Sequence, residues 1–202
     1  MLTEERVYLP DQRPLDVNEI LIAEFNYIAS TAFQANEDRA RVSNYYLMTA
    51  GAAVAAILGA KIEGVTRAVV HWGFAVVFGA LAFIGLLTVL QLARLRSAWR
   101  SSAEAMNQIK EYYRERCPDA QLEKAFAWTS ANLPSAIKPN SVAFLLALSV
   151  MLVDAAATVA SVVFLGVGVS QKSLGVWLLL GLLVALVFIG IQLRLYFDWV
   201  AK

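Results

Sequence analysis

VVHWGFAVVFGALAFIGLLTVLQLA, residues 69–93, runs for 25 residues without an acidic side chain, a lysine or an arginine, and Arg94, Arg96 and Arg100 follow it at once. About 20 apolar residues in a helix cross a hydrocarbon core about 30 Å thick. The stretch therefore reads as a membrane span ending in a basic collar. Residues 45–62, 142–169 and 174–193 have similar length and apolar character, so four spans are expected. The links at 61–68 and 170–173 are short, which makes two hairpins, and an even number of spans leaves both termini on one side. All but three of the 17 Lys and Arg residues, the exceptions being Lys61, Arg67 and Lys172, lie outside those two links. The positive-inside rule then places the termini and the central segment in the cytoplasm of a multi-pass inner-membrane protein. Aromatic residues agree, with Tyr45, Tyr46, Tyr196, Phe197 and Trp199 near the inner interface and Trp72 and Trp177 near the outer.

Composition points the same way. Of the 202 residues 59% are hydrophobic and 16% charged, and the mean hydropathy is +0.58. Soluble domains carry about 25% charged residues. A net charge of +1 gives no pull toward nucleic acid, and none is expected as a partner. One cysteine, Cys117, and one histidine, His71, exclude an intrachain disulfide and leave too few ligands for an ordinary zinc site. The first forty residues hold no apolar run behind a basic start, so no cleavable signal peptide is expected. Phosphate-loop, nucleophile-elbow and zincin motifs are absent from the sequence. A non-enzymatic protein without cofactor or metal is the expectation.

The organisation is predicted as a cytosolic segment and helix over 1–44, a first hairpin over 45–93, a cytosolic helical arm and linker over 94–140, and a second hairpin with tail over 141–202. Asp16 offers an acidic N-cap with Glu19 three residues on, and no proline interrupts the chain from there to Ile62. Val17, Leu21, Phe25, Ile28, Ala32 and Ala35 recur at helical spacing. Beyond the second span Leu92, Leu95, Trp99, Ala103, Met106, Ile109 and Tyr113 make a near-heptad stripe that ends before Cys117-Pro118. At about 1.5 Å per residue each extension reaches roughly 35–40 Å past the spans, and the tight link makes them pack as one antiparallel arm. A further short helix is expected over 120–132. Leu95, Trp99, Met106 and Tyr113 either pack the arm's two helices together or pair with another copy, because two helices alone leave apolar faces uncovered. The partners expected are thus the lipid bilayer and a second copy or another membrane or cytosolic protein.

Asp154 is the one charge within residues 142–169. Twelve residues from Val142 it lies about 18 Å along its helix, where a charge costs at least about 2.5–3.5 kcal/mol. Thr158 and Ser161 share its face and carry hydroxyl donors. Two readings stand: a hydrogen-bonded carboxyl that fixes helix packing, or a polar point on a proton or ion path or an oligomer axis. Gly51, Ala55 and Gly59 recur every four residues in the first span, a spacing that lets helices approach closely. Packing against Ala75 and Gly79 of the second span is expected there, with packing between subunits the alternative. Arg94, Arg96 and Arg100 are expected to meet lipid headgroup phosphates.

The stretch EFNYIASTAFQANEDRARVSNYYLMTAGAAVAAILG, residues 24–59, resembles the entry helix and first span of small bacterial membrane proteins. The order helix, two spans, helix is similar to that of SLATT-type transmembrane effectors, and the second pair of spans departs from that two-span pattern. The resemblance implies an effector that perturbs the membrane when a sensor partner is triggered, and the arm adds the expectation of assembly with copies of itself or with a partner. It assigns no residue a role. Beside it stand two other functions: an accessory subunit anchoring a larger membrane complex, and a proton or ion transporter using Asp154.

Overall fold

The computed structural model describes residues 16–59, 66–116, 129–130, 133, 135, 138–170 and 173–201. The described residues contain four long helices: α1 (Val17–Gly59), α2 (Arg67–Arg116), α3 (Val142–Val169) and α4 (Leu174–Val200). All four are long and apolar enough to cross a membrane. The helix expected over 120–132 falls almost wholly outside the described residues, as does Cys117.

Local chemistry sets the helix ends. Asp16 Oδ1 accepts the Asn18 N–H at 2.9 Å and the Asp16 carbonyl accepts the Ile20 N–H at 3.2 Å, so α1 starts at the expected cap. Ser141 Oγ accepts the Phe144 N–H at 3.3 Å at the start of α3. The last helix runs seven residues past the expected end at Leu193. Hydropathy falls there, but no helix breaker follows, and Arg194 and Asp198 pair across one turn at 3.9 Å.

α1 and α2 pack against each other antiparallel along their length. Leu21 and Phe25 line a groove with Ile109 and Tyr113 at the far tip, and Tyr46 lies beside Ile84 and Thr88 further up. Among the described residues, α1 and α2 make the arm beyond the apolar part. In the bundle α2 and α3 form the central pair, with α1 on one flank and α4 on the other; these two flanking helices make little direct contact. The core lies where α2 meets α3, around Val89, Leu92, Ala93, Ala147, Val150 and Met151. Around it Leu179, Leu183 and Leu186 of α4 and Phe83 of α2 point outward, 60–68% exposed in the isolated chain. Lipid suits such a surface, and water does not.

The packed line of the arm keeps Ala32, Ala35 and Ala103 of the expected stripes and departs from the rest of them. Arg96, Ala103 and Asn107 of α2 are buried, and so are Ala32, Ala35 and Arg39 of α1. Leu95, Trp99, Met106 and Tyr113 are half-buried, and at about 100° per residue they sit roughly 80° round α2 from that line. Small side chains on the contact line let the two helices close up, and the larger apolar groups flank it.

Candidate functional site

Asp154 is fully buried and its carboxylate touches every helix of the bundle. The Tyr46 hydroxyl of α1 donates to Oδ1 at 3.3 Å, and the Gln192 amide of α4 donates to Oδ2. Gly85 of α2 backs the same group: a Cβ there would lie 2.7 Å from Oδ2 and nearer still to the other carboxylate atoms. Glycine is what leaves room. The carboxylate thus ties together the flanking helices α1 and α4. Counting from the hairpin-turn ends, Tyr46, Asp154, Gly85 and Gln192 all fall about 20–27 Å along their helices, so antiparallel packing brings them to one level.

The cluster holds two donors, and no Lys or Arg among the described residues bonds to it. Gln192 Oε1 is buried without a donor. Turned over, the same amide would offer that oxygen to a carboxyl O–H, so either protonation state of Asp154 finds a partner. Thr158 and Ser161 do not reach the carboxylate, contrary to expectation. Thr158 Oγ1 donates to the Asp154 backbone carbonyl at 2.9 Å, and Ser161 Oγ crosses to the Ala75 carbonyl of α2 at 2.8 Å. Each hydroxyl meets a backbone acceptor that lies closer. Asp154 points into the interior of a single chain. A cleft of about 400 Å³ between α1 and α2, lined by Tyr45, Thr49, Thr88 and Gln91, has Tyr46 on its wall.

Gly51, Ala55 and Gly59 are exposed, and a Cβ added at Gly51 or Gly59 would meet nothing within 4 Å. They do not pack on the second span. The reason lies with Tyr46: its side chain enters the bundle, so the face of α1 carrying Ser43, Tyr46 and Ala50 turns inward and the small stripe turns out. Close contact between helices occurs elsewhere, where Gly79 meets Ser161 Oγ and Gly181 meets the Val159 backbone.

Of the three arginines expected at lipid headgroups, Arg94 is exposed, with its guanidinium 4.4 Å from the Trp199 ring centroid, and Arg100 is half-buried. Arg96 departs from expectation. It is 7% exposed, and its guanidinium lies 4.8 Å from the Trp99 ring centroid. Arg39 of α1 is 8% exposed and close enough for the two charges to act on each other. Burial, and then the charge of Arg96, hold the Arg39 guanidinium below the usual arginine range. Burial likewise lowers Arg96, with the Tyr196 phenol of α4 opposing. Sequence reading missed this pair because charged residues were assigned to surfaces. Their phase was the available signal: Arg39 follows Ala32 and Ala35 on the packed line of α1. No family model, curated protein or solved structure matches the chain.

Proposed function

We propose that this protein is a non-enzymatic membrane assembly protein whose copies associate side by side along the outer flank of α1, with the arm on the cytoplasmic side of a bacterial inner membrane. The observation that carries the reading is one exposed apolar flank shared by arm and span. Ile22 is 58% and Phe33 64% exposed on the arm, beyond the apolar segments. At about 100° per residue Ile22, Ala29, Phe33, Ala40, Gly51 and Leu58 lie within about 40° of one another. The flank therefore continues from water into lipid. A soluble partner matches only its arm portion, whereas a second α1 in the same membrane matches all of it, with Gly51 allowing close approach. Such association is the step by which a membrane effector or pore would be built, and Asp154 in this reading is a structural tie within each subunit.

Cysteine cross-linking in native membranes tests it, in a Cys117→Ser background. Phe33→Cys and Gly51→Cys should each give a covalent dimer on mild oxidation, and Ala35→Cys on the buried face should not. Absence of dimer at both flank positions, or equal dimer at Ala35, overturns the reading. Cross-links to a different protein would instead identify an accessory subunit.

A further inference from the structure

Arg39 on α1, Arg96 on α2 and Tyr196 on α4 all stand toward the arm-side end of the bundle, and all three are more than nine-tenths buried. Each guanidinium lies within electrostatic reach of the other and of the Tyr196 phenol. Buried charges are ordinarily paired, because an uncompensated one is costly to take out of water. Here Arg96 rests on the Trp99 ring, and the charge that acts on Arg39 is that second cation. The ion pairs among the described residues are Arg41–Asp38 and Arg194–Asp198, and neither includes Arg39 or Arg96. Arg39 Nε–H is buried without an acceptor. Two buried guanidinium groups and a phenol thus lie within electrostatic reach of one another, and among the described residues no carboxylate pairs with either arginine; an anion with several oxygens would supply what is missing.

Position narrows the class. Arg39 lies seven residues arm-ward of Tyr46 and Arg96 eleven arm-ward of Gly85, where the apolar runs have ended and Arg94 and Arg100 stand beside them. Planar guanidinium groups bind phosphate through paired N–H donors. We propose that Arg39, Arg96 and Tyr196 form an interhelical binding site for a phosphate group, which bridges α1, α2 and α4. The phosphate belongs to a lipid headgroup or to a free phosphorylated compound, and both present the same oxygens. The site differs from a superficial headgroup contact because its donors lie between helices, so occupancy stabilises the bundle.

Thermal unfolding of the full chain, delipidated in an uncharged detergent and followed by tryptophan emission, tests this. One arm adds phosphatidylglycerol against a diacylglycerol with the same chains. The other adds inorganic phosphate against chloride at equal ionic strength. A saturable rise of about 5 °C in the midpoint is expected in at least one arm. A rise with the lipid alone assigns the phosphate to a headgroup, and a rise with inorganic phosphate assigns it to a free compound. Arg39→Gln with Arg96→Gln should abolish the rise, and Arg39→Gln should unfold no lower than wild type when no phosphate is present. No shift of the wild-type protein in either arm overturns the proposal, whether or not the variants fold. An undiminished shift in the double variant does the same.

Discussion

Tyr46→Phe and Gln192→Leu each remove one donor from Asp154, and the geometry ranks their effects. The Tyr46 hydroxyl stands 3.3 Å from Oδ1, long beside the usual O–H···O distance of about 2.7–2.8 Å. The Gln192 amide donates to the other oxygen, Oδ2. Interhelical hydrogen bonds in membrane proteins average about 0.6 kcal/mol and reach about 1.7. The Tyr46–Asp154 coupling should therefore be about 0.5 kcal/mol, roughly a twofold change in the unfolding equilibrium, and the Gln192–Asp154 coupling about 1.5 kcal/mol, roughly tenfold. Single substitutions blur this order, because Gln192→Leu also deletes the buried, unpartnered Oε1 and recovers part of the loss. Double-mutant cycles with Asp154→Ala cancel such terms. Reversible unfolding in mixed micelles of rising anionic detergent content, read by tryptophan fluorescence, gives the four free energies of each cycle. A Tyr46 coupling as large as that of Gln192, or no coupling at either, refutes the assignment.

Three glycine substitutions extend the same logic. Gly85→Ala forces a methyl group against the Asp154 carboxylate and should cost about 1–3 kcal/mol. Gly51→Ala meets open space and should be neutral or gain up to about 1 kcal/mol from helix propensity; the same micelle titration decides, and the reverse order would place the carboxylate elsewhere. Gly166→Ala drives a methyl into the Trp177 ring and should shift the tryptophan emission maximum, with Trp177→Phe removing the shift. An unchanged spectrum would mean that the ring does not rest on Gly166.

Much of the architecture was legible because it follows from backbone needs in an apolar medium. The Asp16 cap, the unbroken run from it, and the proline-free stretch ahead of Cys117 mark helices that the structure realises as Val17–Gly59 and Arg67–Arg116. Val142–Val169 stands where hydropathy puts it. The site was half legible. Asp154 declared itself as a lone charge, but its partners looked ordinary: Tyr46 passed for an interface aromatic and Gln192 for the tail of a span. Counting each residue from its hairpin turn would have levelled them with Asp154. The arm's contact line was legible in Ala32, Ala35 and Ala103, and what stayed hidden were the polar residues on it. Hydrophobicity marks what avoids water, whereas close helix contact selects small groups, so Ala32, Ala35 and Ala103 won the seam and brought Arg39, Arg96 and Asn107 inside with them.

α2 carries no proline between Arg67 and Arg116 and runs unbroken from the hairpin turn to the tip of the arm, about 75 Å of rod at 1.5 Å per residue. A rod without a joint behaves as a lever. With Gly85 as fulcrum, a sideways push of about 5 Å at the tip, some 46 Å away, swings the opposite end by about 3 Å. Whatever grips the arm therefore has a mechanical hold on the far side of the bundle, with the fulcrum seated against the Asp154 carboxylate.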